Sequence, residues 1–342
     1  MKKQLLITPQ QLKPSHPDFE ILGVFNPAVI KHQHQTIMIV RVAESLKNGD
    51  ASHVFVPIYR YRKFSFIKIN TSDTNYDFSD RRVIKNHKQN YLTSISHFRV
   101  ARSHNGIDFT FDDTFILPDT MYEEYGIEDP RITFIEGRYY ITYTAVSSNG
   151  INVALMVTDD FYSFERLGII FPFDNKDCVI FPEKIGEYYY AYHRPSTSDF
   201  GRLDIWMARS KDLLHWGDHQ VVTSARIDYM PSARIGAGSV PFLTNQGWMS
   251  IYHSADLYHR YHLLAMVSDK NDPKKIILRS NKPLISPTEP FEIEGFQPHV
   301  VFTCGLTQDN NILNIYYGAC DQSIALCQIT MDEIIENLGE VR

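Results

Sequence analysis

A short alternating pattern loaded with aromatics occurs five times, and no other feature constrains the fold as much. The copies are Gln35-Thr36-Ile37-Met38-Ile39-Val40-Arg41, Arg138-Tyr139-Tyr140-Ile141-Thr142-Tyr143-Thr144, Glu187-Tyr188-Tyr189-Tyr190-Ala191-Tyr192-His193, Gly247-Trp248-Met249-Ser250-Ile251-Tyr252-His253 and Ile312-Leu313-Asn314-Ile315-Tyr316-Tyr317-Gly318. Period-2 alternation of β-branched and aromatic residues marks a packed strand. The Gly or polar turn before most copies suits a hairpin feeding it. Five copies in 342 residues average about 68 residues each, a reasonable size for propeller blades with loops. A second element recurs between strand-like runs: Asp159 to Glu165, Lys211 to Gly217 and, more loosely, Ser103 to Phe109 share a charged-Asp, apolar, polar, aromatic plan, as outer blade turns would.

We therefore expect an all-β fold, a five-bladed β-propeller, with residues 1–342 forming one domain. A pair of β-sandwiches is the alternative, but it accounts less well for a motif spread along a chain without a linker. Helix is expected only near 331–338, where Thr330 is a natural N-cap and Glu333 completes a capping box. Segment 46–100 is the least regular, with polar loops at Lys47 to Ser52 and Asn70 to Asp80.

Charge excludes some functions. With 34 Lys+Arg against 40 Asp+Glu the net charge is −6, which disfavours binding to a nucleic-acid backbone. No apolar run approaches a membrane span, and the N-terminus lacks the apolar stretch of a secretion signal. Cys178, Cys304, Cys320 and Cys327 show no C-x-x-C spacing, so free thiols in a reducing cytoplasm are expected. No metal set is expected from the histidines, no G-x-S-x-G occurs, and the 232–238 loop lacks the phosphate-cradling P-loop spacing.

Loops from all blades of a propeller meet at one end of its axis. Arg41, Arg194, His253 and Asp321 end or follow their strands in four of the five copies, so they are candidates for one site; a structural ring of ion pairs is the alternative. In Gly126-Ile127-Glu128-Asp129-Pro130-Arg131 the adjacent carboxylates point to different sides. One can face the axis while the other pairs with Arg131; an ordinary salt-bridged turn is equally consistent.

Together with these, Gly23-Val24-Phe25-Asn26-Pro27-Ala28, Arg41-Val42-Ala43-Glu44, Phe181-Pro182-Glu183-Lys184, His193-Arg194-Pro195, Ala233-Arg234-Ile235-Gly236-Ala237-Gly238, Ile251-Tyr252-His253 and Tyr316-Tyr317-Gly318-Ala319-Cys320-Asp321 resemble glycoside hydrolase family 130. The likeness runs in order from about Gly23 to Leu338. It implies a five-bladed propeller and inverting phosphorolysis of β-mannosides to α-mannose 1-phosphate. Asp129 matches the single general acid, which protonates the leaving oxygen through the mannosyl 3-hydroxyl. Lys176, Arg194, Arg234 and His253 match phosphate-binding positions. Asn26, Arg41 and Asp321 match mannosyl-holding positions, and Glu128 and Tyr252 join them as substrate-binding candidates. Tyr125 and Phe296 could also stack on sugar.

The partners so implied are a mannose-containing oligosaccharide and inorganic phosphate as co-substrate, with no metal or other cofactor, in the cytoplasm; a homo-oligomer is left open. Lys176-Asp177 replaces a commoner Arg-Asn, which sets a negative charge beside phosphate unless Asp177 turns away, and His299 replaces a commoner asparagine. The Lys176-Asp177 pair, together with Ser232-Ala233-Arg234-Ile235-Gly236-Ala237-Gly238, resembles members acting on β-1,2-mannobiose and its oligomers rather than those acting on mannosyl-glucose. The alternatives are a β-1,2-mannosidase of the same family and a non-catalytic sugar-binding propeller. Linkage and acceptor choice rest with loops in 46–100 and 196–232.

Overall fold

Every aromatic repeat is the second strand of an antiparallel run in the computed structural model, which describes residues 1–47, 50, 52–80, 82–196, 201–225 and 232–341. Phe19–His32, Gln35–Leu46, Ile95–Ser103 and Thr110–Ile116 form one run; Gly126–Ile135, Arg138–Ser147, Gly150–Thr158 and Glu165–Phe171 form the next. One parallel bridge, Gly126 to Ser96, joins them into an eight-stranded sheet. Asn175–Ile180, Tyr189–Pro195, Ile205–Ser210 and Gly217–Thr223 form a separate sheet. Ser232–Ala237, Gly247–Asp256, Tyr261–Ser268 and Ile276–Ser280 follow, extended by Phe242–Thr244 and Leu338–Glu340. Finally, Val301–Asp309, Ile312–Ala319 and Ser323–Thr330 take Lys2–Ile7 as their outer strand.

The second strands are buried on both faces, Gly247–Asp256 along its whole length, because each sheet packs against two others. Ile39 and Val100 meet Ile127, Ile141 and Met156; Leu155 and Phe171 meet Ile180 and Ala191; Phe181 and Tyr192 meet Trp248, Tyr252 and Met266. Ile251 and Leu263 meet Val301 and Ile315, and Tyr316 and Leu326 meet Val24 and Val40. The apolar area removed from water in these layers is the main favourable contribution to folding.

The recurring turn is one structure made three times. Asn105, Asp160 and Asp212 each accept two backbone N–H groups from the residues two and three places on. The hydroxyl of Ser103, Thr158 or Ser210 caps the residue between, Gly106, Phe161 or Leu213, which has positive φ. Such Asx and Ser/Thr turns hold the backbone without secondary structure.

Two expectations need correction. The C-terminal helix spans Met331–Glu336, with the Thr330/Glu333 box as expected, but it ends before Leu338, which starts a strand paired to Ile276–Ser280. A second one-turn helix, Pro290–Ile293, starts with proline after Glu289 and has its own capping box. Segment 46–100 is also more ordered than its sequence suggests. His53–Arg60 and Lys63–Asn70 form a hairpin, and Asp77–Asp80, Val83–Lys85 and Asn90–Leu92 form a three-stranded sheet. Both pack through Val56, Ile58, Ile69, Ile84 and Tyr91 onto Tyr125 and Val146. Within the loops 47–52 and 196–232, residues 48, 49, 51, 197–200 and 226–231 lie outside the described residues. Among the described residues no helix is long and apolar enough to cross a membrane.

Candidate active site

Bulges at the starts of three runs aim polar side chains into one place. The register slips between Phe25 and Ala28, between Glu128 and Arg131, and between Lys176 and Val179. Asn26, Asp129 and Asp177 occupy these slips with φ of 49°, 49° and 55°, a left-handed conformation that Asn and Asp tolerate better than other side chains. Asp321 adopts it too, with φ 51°, after Ile312–Ala319.

These residues line a cavity of about 330 Å³ together with Arg41, Arg82, Glu128, Lys176, Arg194, Arg234, His253, His259, Tyr261, Gln297, Val300 and Phe302. A larger cleft of about 860 Å³, between Tyr59, Tyr61 and Met121, contains none of the candidate residues.

One side of the cavity is acidic. Arg41 spans both neighbouring carboxylates, Nη2 to Glu128 Oε1 at 2.7 Å and Nη1 to Asp129 Oδ1 at 3.0 Å. Asn26 Nδ2 donates to the same Asp129 oxygen at 2.9 Å. Burial opposes ionisation of Asp129, but Arg41 and Arg131, with the bonds from Asn26 and Arg41, hold it below the ordinary carboxylate range. Asp321 differs: burial pushes it up to about 6, Asp129 and Glu128 adding to the effect and Arg41 and Arg82 opposing it. Gly318 is obligatory here, since a Cβ would lie 2.2 Å from Asn26 Oδ1.

The other side is basic around one buried acid. Lys176 and Arg194 face each other across paired strands, a like-charge juxtaposition that costs stability unless an anion offsets it. Asp177, 2% exposed, lies 2.9 Å from Arg194 Nη2, 3.4 Å from His253 Nε2 and 3.3 Å from Arg131 Nη2. Burial opposes its ionisation as well, yet Arg194, His253 and Arg131 hold it well below the usual range. Burial pushes His253 below its ordinary value, leaving a neutral ring tilted against Phe302. Gly236 makes room, since a Cβ there would come within 2.5 Å of both Asp177 and His253. Arg194 Nε and Nη1, Arg234 Nε and His253 Nδ1 have no hydrogen-bond partner. Arg234 Nη2 reaches His259 Nδ1 at 3.0 Å.

The structure thus brings together Asn26, Arg41, Glu128, Asp129, Lys176, Arg194, Arg234, His253 and Asp321. It does not bring Tyr252, whose ring is wholly buried between sheets and whose hydroxyl accepts from Arg279 at 3.0 Å. Tyr125 is core beneath the 53–92 excursion, and Phe296 does not line the cavity. Arg131 pairs with neither Glu128 nor Asp129 through their side chains. It donates to the Asp129, Ala237 and Gly238 carbonyls and to Asp177, tying the acidic side to the basic side from below. The Asp177 carboxylate turns toward Arg131, Arg194 and His253 and is shielded by them. From the sequence alone, Arg82 and Tyr261 have no role, His259 is a core or surface histidine, and Arg131 is only a partner for a neighbouring carboxylate. Arg131 was visible beside Asp129, but the partner reached from another strand was not.

Residues 76–340 match the family model described as β-1,4-mannooligosaccharide phosphorylase, glycoside hydrolase family 130. A β-1,2-mannobiose phosphorylase of Listeria innocua is 40% identical over 340 residues, covering 97% of this chain and 96% of its own. A 1,2-β-oligomannan phosphorylase of Thermoanaerobacter sp. is 36% identical over 71% of this chain and 82% of its own. The solved Listeria innocua enzyme in complex with β-1,2-mannobiose superposes with a TM-score of 0.94 at 39% identity, over 98% of this chain and 99% of that one. A solved structure described with family 130 hydrolases that target β-1,2 mannosidic linkages in Candida mannan superposes at 0.72 with 19% identity, over 96% and 94%, a likeness of fold alone. The chain belongs to glycoside hydrolase family 130.

Proposed function

We propose that this chain is an inverting β-mannoside phosphorylase that cleaves β-1,2-linked mannobiose or its oligomers with inorganic phosphate, releasing α-mannose 1-phosphate and a shortened sugar. The observation that carries this reading is the division of one cavity into an acid-bearing side, with Asp129, and a basic side, with Lys176, Arg194 and Arg234. Phosphate is already an anionic nucleophile, so it needs placement by charge rather than a second carboxylate to activate water. Asn26, Arg41, Glu128 and Asp321 hold the mannosyl unit. Asp129 supplies the proton to the leaving oxygen through the sugar's 3-hydroxyl. A phosphate dianion arriving nearby raises the Asp129 pKa, so the acid gains its proton in the loaded enzyme.

Hydrolysis is disfavoured because the carboxylate on the basic side, Asp177, is buried and tied to Arg131, Arg194 and His253. It is not free to activate water. A purely sugar-binding role gives no purpose to Arg194 Nε and Nη1 and Arg234 Nε, which are buried with no hydrogen-bond partner among the described residues.

The strand runs are then the five blades of a propeller, with Lys2–Ile7 completing the last. Support comes from the packing order, in which the sheet holding Ile315 and Tyr316 meets both the sheet of Ile251 and the run of Val24. Neither metal nor organic cofactor takes part, and four buried thiols suit a reducing cytoplasm.

Initial rates on β-1,2-mannobiose, measured in EDTA against phosphate concentration, test the reading. Turnover should saturate with phosphate and fall to background without it. Undiminished release of mannose in phosphate-free buffer would make the chain a hydrolase.

A further inference from the structure

Gln35–Leu46 and Ile95–Ser103 pair directly, Glu44 opposite Ile95, so a short turn would suffice to connect them. The chain instead makes the excursion 47–94, whose described residues join none of the large sheets and whose ordering costs conformational entropy. Among the described residues its three-stranded sheet delivers one side chain, Arg82, to the cavity that holds Asp129 and Asp321. At 44% exposure Arg82 stands at the mouth, not in the floor.

Arg82 is held in place. Its backbone N–H donates to Asp80 Oδ1 at 2.9 Å, Nε to Oδ1 at 3.1 Å and Nη2 to Oδ2 at 3.0 Å, while its carbonyl accepts from Thr93 N at 3.0 Å. The guanidinium charge is therefore already matched by Asp80. A neutralised pair adds little to an anion seat. What it offers is donors on Nη1 and Nη2 beside a carboxylate acceptor, which complements adjacent hydroxyl groups of a neutral sugar.

We propose that Arg82, braced by Asp80, is the subsite that recognises the sugar leaving in phosphorolysis and accepting in synthesis. This subsite presupposes the phosphorylase reading above. It assigns acceptor choice to the excursion and leaves phosphate binding to Lys176, Arg194 and Arg234.

Synthesis from α-mannose 1-phosphate with mannose as acceptor, compared with phosphorolysis, tests it in Arg82→Ala. The exposed turn position lets the variant fold, which a thermal melt checks. The acceptor KM should rise about tenfold, the loss of one charge-assisted contact, while the phosphate KM stays within about twofold. An unchanged acceptor KM, or acceptor and phosphate KM rising together, overturns the subsite while phosphorolysis stands. A wild-type chain that makes no mannose 1-phosphate at all overturns the phosphorylase reading, and the subsite with it.

Discussion

Asp129 and Asp321 share one cavity but titrate in opposite directions, because their partners differ. Asp129 accepts directly from Arg41 and Asn26, whereas Asp321 is buried beside two other carboxylates. The raised value of Asp321 has a consequence for stability. Its folded pKa of about 6 exceeds the ordinary 3.8, so the folded chain holds this proton more tightly than the unfolded one. The resulting penalty is absent below pH 3.8 and complete above about 6. Asp321→Asn should therefore stabilise the protein at pH 7.5 by roughly 1–3 kcal/mol and by much less at pH 4. Thermal melts at both values check this, and an equal gain at both would show that charge is not the cause. At this scale the strand-end positions of Arg41, Arg194, His253 and Asp321 and the Glu128-Asp129-Pro130 turn are legible in the sequence, whereas the roles of Asn26, Lys176 and Arg234 rest on the family resemblance. Tyr252 was misplaced for a reason that strand geometry makes plain. It neighbours His253, and adjacent strand residues face opposite ways, so both cannot reach the same cavity. Asp177 looked like a liability because its partners come from three other strands.

Elements repeat their chemistry as well as their shape. Two one-turn helices, Met121–Glu123 and Pro290–Ile293, each bury a capping glutamate that accepts from a tyrosine of the following second strand. Tyr143 donates to Glu123 and Tyr317 to Glu292, both at 2.6 Å. Each carboxylate then needs a cation: Arg166 serves Glu123, and Lys3 serves Glu292 at 2.8 Å. Lys3 thus fastens the outer strand Lys2–Ile7 to its sheet by a pair that is almost fully buried. Lys3→Met should cost about 3 kcal/mol, because it leaves Glu292 charged and without its cation. Urea unfolding measures this; a change below about 0.5 kcal/mol would mean that the pair behaves like a surface one. The tyrosines and the strands were legible from alternation. The helices were not, since a single turn has no periodicity to detect.

For the whole molecule, distant segments converge because the first strand of every run sends a residue to the same cavity, and in all runs but that of Gly126–Ile135 the second strand, or a residue just after it, does so too. That convergence places Asp129 and the cations Lys176, Arg194 and Arg234 around one small space, the arrangement on which the proposed single displacement with inversion rests. The extra excursion 47–94 lies outside the repeat, and so its contribution of Arg82 could not be read from the pattern. Proton NMR of β-1,2-mannobiose reacting with inorganic phosphate, followed from the first turnovers, tests the central claim most directly. The account predicts α-mannose 1-phosphate and mannose appearing together in equal amounts. A β-configured phosphate ester, or mannose alone, would contradict it.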